Sequence, residues 1–279
     1  EDDPGGGQAK SALEAGATLV IAAGGDGTVR AIAEVLAGSD TRLALVPSGT
    51  GNLLARNLKL VLDDIEHSIR TAFSGVDRDI DVGEIEIVRP GGQKDTLTFL
   101  VMAGVGLDAK IMSNTDPALK AKVGWLAYAR ALAQVLRHKD PLRIRFRSDQ
   151  PHGGPGARAH AVIVGNCGSL PAKILLLPDA VVDDGLLDLV VLKPESVRGW
   201  LQVVFKVFLE NGIVNRTKIG RKMNNVDVDS VDVAQLAQFE VRLSRAAEIE
   251  LDGDPFGKAT AFRARAVARC LHLKVPADD

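Results

Sequence analysis

The stretch Ala17-Thr18-Leu19-Val20-Ile21-Ala22-Ala23, running into Gly24-Gly25-Asp26-Gly27-Thr28, decides how this chain folds. Residues 17–23 form a short apolar run and read as a buried strand. Gly24–Thr28 is a glycine-rich turn, and Val29–Ala37 has helical periodicity with Gly38 as its stop. The pattern then repeats. Leu43–Val46 is a second apolar strand, Pro47–Asn52 (PSGTGN) a second glycine turn, and Leu53–Leu58 the start of another helix. Leu62–Phe73 is a third amphipathic helix, ending near Gly75. Short buried strands alternating with helices predict a parallel sheet flanked by helices. Both glycine turns then fall at the carboxyl ends of strands, where open α/β sheets place their ligands.

Outward from this region the texture changes after Asp81. Gly83–Arg89 and Thr96–Met102 alternate as strands around a Gly91-Gly92 turn. A helical signal returns at Ala118–Leu136. Strand-like runs follow at Leu142–Arg147, His160–Val164, Leu187–Leu192, Phe239–Leu243, Glu248–Leu251 and Cys270–Val275, with a glycine-rich insertion at Gln150–Gly156. Many short strands separated by turns predict a β-rich second domain of sandwich type. The expected division is an α/β domain over residues 1–82 and a β-rich domain over 83–279, with the last strand free to return to the first domain.

Composition narrows the function. A net charge of −2 argues against nucleic acid as a partner, because phosphate binding needs a basic excess. Cys167 and Cys270 are far apart and lack CxxC spacing, which fits a reducing cytoplasmic setting rather than a disulfide framework or thiolate metal site. No apolar stretch reaches the ~18 residues that span a bilayer. The chain begins at Glu1 without a signal-peptide pattern, and its N-terminus reads as cut. The five histidines show no zinc-ligand spacing, and Ser48 lacks a nucleophile-elbow context. Trp200–Leu209 has one apolar face and reads as a helix packed on its own domain. The basic stretch Arg137, His138, Lys139, Arg143, Arg145 and Arg147 reads as a solvated face, with attraction to anionic headgroups as the alternative.

The two glycine turns carry the chemistry. Glycines let backbone approach a ligand, and consecutive amides at a helix N-terminus bind phosphate oxygens. Asp26 would repel a bare phosphate, so it either contacts a metal-bound phosphate or caps the loop by hydrogen bonds. The bland reading is a tight turn with Asp26 as helix N-cap. The second turn, one βα unit later, favours two loops facing one nucleotide.

These segments resemble the diacylglycerol kinase catalytic-domain family, which includes bacterial lipid kinases and the sphingosine and ceramide kinases. The resemblance rests on GGDGT at 24–28, PSGTGN at 47–52 with LLARNL after it, and AGVGLDA at 103–109. It continues in VGWLAYA at 123–129, PDAVVDDGLLD at 178–188 and Asp252-Gly253-Asp254. It implies an α/β nucleotide domain of NAD kinase and diacylglycerol kinase type joined to a β-sandwich. It also implies ATP held by Gly24, Gly25, Asp26, Gly27, Thr28, Val29 and Arg30, with Gly49, Thr50 and Asn52 from the second loop. By the same resemblance Asp254 is the base that accepts the lipid hydroxyl's proton, where the family usually has Glu; a hairpin turn is the other reading of Asp-Gly. Asp81 would line the cleft and assist, against the alternative of a strand-end acid facing water. Mg²⁺ would sit on the Val181 and Leu186 carbonyls and the Asp184 carboxylate, or that segment is an ordinary turn.

The family usually opens with a strand and an Asn-Pro-x-x-Gly loop; both are absent here, with the first helix expected missing too. The function expected is an ATP-dependent lipid kinase, diacylglycerol to phosphatidic acid first among candidates. It would work from the cytoplasm at a membrane surface, with a homodimer as one admissible assembly. A soluble-substrate kinase of NAD kinase type and a catalytically impaired nucleotide- or lipid-binding module are the alternatives.

Overall fold

A computed structural model describes residues 3–106, 141–148, 156–170, 174–175, 177, 180–194 and 231–277. The expected helix at 118–136, the 123–129 motif, most of the 150–156 insertion, residues 137–139 and the 200–209 segment lie outside the described residues, as do 107–109 and 178–179 of the family segments.

The chain starts with helix α1 (Gly6–Glu14), then β1 (Leu19–Gly24), α2 (Asp26–Leu36), β2 (Arg42–Pro47), α3 (Leu53–Asn57) and α4 (Ile65–Ser74). A β region follows: β3 (Val76–Val88), β4 (Lys94–Phe99), β5 (Met102–Val105), β6 (Leu142–Ser148), β7 (Ala157–Ala159) and β8 (Ala161–Gly165). The two-residue strands β9 (Ser169–Leu170) and β10 (Ile174–Leu175) pair with each other. The chain then forms β11 (Leu187–Leu192), β12 (Val231–Leu236), β13 (Gln238–Leu251) and β14 (Asp254–Val275).

The α/β-plus-β architecture is as the sequence implies, but the parallel part is small. β1 and β2 pair in parallel over six residues, and β14 joins β2 in parallel at Leu273 opposite Leu43. Every other ladder among the described residues is antiparallel. One apolar core gathers Ile32, Leu36, Leu43, Leu53, Ile80 and Leu273 around the α/β layer. A second gathers Ile87, Phe99, Val162, Leu189, Phe239 and Phe262 from six strands of the β region. Residues from so many strands reach one interior only if the sheet folds back on itself, which is the sandwich-like arrangement.

Two long strands belong to both cores. β3 gives Ile80 and Val82 to the first and Ile85 and Ile87 to the second. β14 gives Phe262 and Ala264 to the second, then Leu271 and Leu273 to the first. Its pairing with β3 breaks between Val267 and Leu271, where Arg269 takes φ 49°. A bulge of this kind bends a strand and lets it change layers. The 82/83 boundary drawn from composition therefore falls inside one continuous strand.

Three local features depart from the sequence reading or go beyond it. The Gly5-Gly6-Gly7 run opens a helix, because the Asp3 carboxylate accepts the Gly5 and Gly7 amides at 2.8 and 2.9 Å. A first helix is thus present, and it packs on α2, where a Cβ on Gly5 would approach Ile32 to 3.1 Å. Helix α2 begins at Asp26 with Gly25 as N-cap, so Asp26 lies in the first turn and is not the cap. Helix α4 buries Ser68 and Ala72, while Ile65 and Phe73 are each 71 % exposed. Its apolar stripe exists as the periodicity indicates but faces outward.

Candidate active site

The two glycine loops meet backbone to backbone. Parallel pairing of β1 and β2 sets Gly24 beside Pro47, so the turns leave the sheet side by side. A Cβ on Gly49 would lie 2.6 Å from the Gly25 Cα, a separation no side chain tolerates. The second loop is fixed by Asn52, which is buried and left-handed at φ 48°. Its side chain accepts the Gly49 amide at 3.1 Å and donates to the Gly49 carbonyl at 2.7 Å. Arg56 donates to the Gly51 carbonyl at 2.6 Å. Gly49→Ala is expected to cost about 1–3 kcal/mol of stability by overpacking. It should also weaken nucleotide binding about ten-fold or more by parting the loops. Thermal melting and nucleotide titration check the two effects.

Asp26 joins the loops. Its Oδ1 accepts the Leu53 amide at 2.5 Å, and its Oδ2 lies against Gly51, where a Cβ would collide with it. Burial pushes its pKa up, the Leu53 amide opposes this, and the charge of Asp254 pushes it further up. A Cβ on Gly27 would lie 3.1 Å from Asp254 Oδ2. Asp254 is exposed at the head of β14, so it is open to a substrate. Asp26, Asp254 and both glycine loops therefore share one place.

Two of the nucleotide candidates have other occupations. The Val29 side chain is buried in the α/β core. The Arg30 guanidinium lies 4.4 Å from the Phe256 ring centroid and reaches Glu34 at 4.0 Å, with its Nε buried and without a hydrogen bond. Contact of these two with a nucleotide is left to their backbone. Arg30 instead fastens α2 to the β-strand behind Asp254. Phe256→Leu is expected to lower turnover about ten-fold while Phe256→Tyr retains it, because the ring face and its position decide where Asp254 stands. Steady-state rates of the two variants test this.

Asp81 is fully buried, so the reading of a strand-end acid facing water is wrong. Its Oδ2 accepts the Gly185 amide at 2.6 Å and its Oδ1 the Arg269 amide at 2.7 Å. It thus holds the 181–186 loop against the β14 bulge, and its full burial keeps it from direct contact with a substrate. Asn166 donates to the carbonyls of Asp81 and Leu100 at 2.9 and 3.1 Å. Asp252 continues the chain of contacts. Its carboxylate accepts the amides of Leu100, Val101 and Met102 at 2.9, 2.8 and 3.0 Å. This buried network runs from the Asp252-Gly253-Asp254 turn to the 181–186 loop. Sequence reading assigned no role to Asn166, Arg269, Phe256 or Asp252; only Asp252 carried a signal, as the first acid of its motif.

In the 181–186 loop, Asp184 is exposed and its Oδ1 accepts the Leu186 amide at 2.9 Å. Gly185 turns the chain at φ 77°, and Asp183 pairs with Arg78 at 3.2 Å. One carboxylate with backbone carbonyls is an oxygen-only donor set, which fits a hard cation and not a soft one. Among the described residues no group of three or more His, Cys, Asp or Glu could hold a metal.

A parallel βα pair presents two amide-rich loops faced by an acid from the β region, and amides so presented suit phosphate oxygens. The diacylglycerol kinase catalytic-domain model matches residues 4–85, and the YegS C-terminal NAD kinase β-sandwich-like domain model matches 101–274. A Pseudomonas fluorescens protein named "Probable lipid kinase YegS-like" is 35% identical over 276 residues, 95% of this chain and 80% of that one. A Bacillus subtilis diacylglycerol kinase is 30% identical over 220 residues, 78% and 69% of the two chains. The chain belongs to this lipid kinase family. A solved diacylglycerol kinase from Bacillus anthracis shares the fold at TM-score 0.63 with 20% identity, over 96% of this chain and 81% of the other. Yeast NADH kinase shares it at TM-score 0.53 with 10% identity, over 94% and 64%.

Proposed function

We propose that the chain transfers the γ-phosphoryl group of ATP to a lipid hydroxyl, with diacylglycerol the first candidate and phosphatidic acid the product. The observation that carries this reading is the approach of Asp254 to Gly27 and Asp26, in a chain of the lipid kinase family. The amides around Gly24, Gly25, Gly27 and Thr28, with Gly49 and Thr50, would receive phosphate oxygens. Asp26 and Asn52 hold the loops in register for that task. Asp254 accepts the hydroxyl proton as the oxygen attacks phosphorus. Asp81 acts as a positioning residue through Gly185 and Arg269. A structural Mg²⁺ would be held by Asp184 with the Val181 and Leu186 carbonyls, where it would stiffen the 181–186 loop.

Labelled ATP with diacylglycerol micelles tests the reading. Labelled phosphatidic acid is expected; no transfer to any lipid would sink the proposal. The second reading, a soluble-substrate kinase, has the shared fold of the yeast NADH kinase behind it. Product from NAD or NADH without lipid product would reverse the ranking. The impaired-module reading rests on Asp254 standing where the family has Glu. It requires nucleotide binding without turnover, restored by Asp254→Glu.

A further inference from the structure

Strands β6, β7 and β13 carry an arginine cluster that the proposed reaction does not use. Arg143 on β6 stands opposite Arg158 on β7, and Arg145 on β6 opposite Arg242 on β13. Directly opposed residues sit ~5 Å apart at Cβ, and like charges so placed destabilise a sheet. All four are exposed. They line one open groove of about 780 Å³, shared with Ile144 and Leu243, and no acidic residue lines it among the described residues. Arg242 pairs with Glu240 at 2.5 Å. The side chains of Arg143, Arg145 and Arg158 have no ion pair or hydrogen bond among the described residues.

Other arginines of the β region have acidic partners. Arg265 meets both oxygens of Glu84 at 2.7 and 2.9 Å, and Arg89 meets Asp95 at 2.6 Å. Opposed arginines cost folding stability, and among the described residues no ion pair offsets Arg143, Arg145 or Arg158, which leaves them open to an external counter-charge. The guanidinium is a planar fork that matches phosphate oxygens in pairs and sheds its hydration readily.

We propose that this groove docks on the phosphate headgroups of an anionic bilayer. The choice of a bilayer rests on the lipid kinase reading above, since that substrate resides in a membrane. Among the described residues no helix is long and apolar enough to cross one. A chain of net charge −2 gains nothing from an anionic leaflet on average, so attraction must come from a local basic patch.

Sedimentation of the whole chain with phosphatidylcholine vesicles, with and without phosphatidylglycerol, tests this. Binding is expected only with phosphatidylglycerol, and it should weaken as salt rises. Arg143→Ala, Arg145→Ala and Arg158→Ala should each lower partitioning about five-fold, and the triple variant about a hundred-fold. The melting temperature should not fall, because the substitutions relieve repulsion. Equal vesicle binding by the triple variant and the parent overturns the proposal. So does saturation of the groove by inorganic phosphate or glycerol phosphate in the absence of vesicles, or an arginine-dependent change in oligomeric mass. Transfer to lipid in detergent micelles is read in parallel. Arginine-dependent vesicle binding without any transfer retires the kinase reading and leaves the groove standing. Transfer with arginine-independent binding does the reverse.

Discussion

Asp254→Asn is expected to lower phosphoryl transfer to lipid by about 10²–10⁴-fold, the range that a positioned proton acceptor contributes. The amide keeps the shape of the carboxylate and loses its basicity. Asp254 is exposed at the start of β14 and holds no backbone amide among the described residues, so the fold should not register the change. Melting temperature and nucleotide affinity should stay near those of the parent while turnover collapses. A second consequence is electrostatic. Asp254 is one of the groups that push the Asp26 pKa up, so its neutralisation should bring Asp26 back toward the ordinary carboxylate range. Titration of Asp26 by carbon NMR would read this. A variant with full activity would remove Asp254 from the mechanism.

Asp252→Ala should be the most damaging single change to the fold around the site, at about 3–5 kcal/mol. The carboxylate is buried and satisfies three successive amides at 2.8 to 3.0 Å. Truncation leaves those donors unpaired inside the protein, and each unpaired buried group costs about 1–3 kcal/mol. Asp252 itself takes φ 51°, and its amide donates to the Met102 carbonyl at 2.8 Å, so the turn and the 100–102 segment form one unit. Denaturant unfolding measures the loss. Its pH dependence has a definite sign. Burial raises the Asp252 pKa from 3.8 to about 6, against the three amides and the Arg30 charge. A folded pKa above the unfolded one means that the native state binds the proton more tightly. The stabilising share of this linkage is complete below pH 3.8 and is lost as pH rises through about 6. The parent should therefore show a downward stability slope across that window that Asp252→Ala lacks.

These two acids, one residue apart in effect and two in sequence, show how much of the site the sequence discloses. Gly24–Thr28 and Pro47–Asn52 were readable because each joins a buried strand to a helix, and local periodicity locates such joints. Asp254 was readable only through family resemblance, since Asp-Gly between alternating runs is equally a hairpin turn. Asp252 carried a signal as the first acid of its motif, but its role stayed hidden because its work is to hold amides some 150 residues earlier in the chain. Asp81 was singled out, but whether it faced water or the interior depended on Gly185 and Arg269 arriving from distant segments. Arg30 and Val29 lie on a helix whose facing could be guessed, yet Phe256 beneath Arg30 comes from the opposite end of the chain.

The sequence alone determined the class of the fold, the two glycine loops and the place of each at the end of a strand. Those features depend on contacts within a few residues: apolar runs, turn glycines and helix periodicity. Tertiary structure decided the rest. It made β3 and β14 single strands serving two cores, turned the apolar stripe of α4 outward, and set Asp254 beside Gly27. It also aligned Arg143 with Arg158 and Arg145 with Arg242. Strand register and layer crossing are fixed by pairing between residues far apart in the chain, and that pairing leaves no local trace.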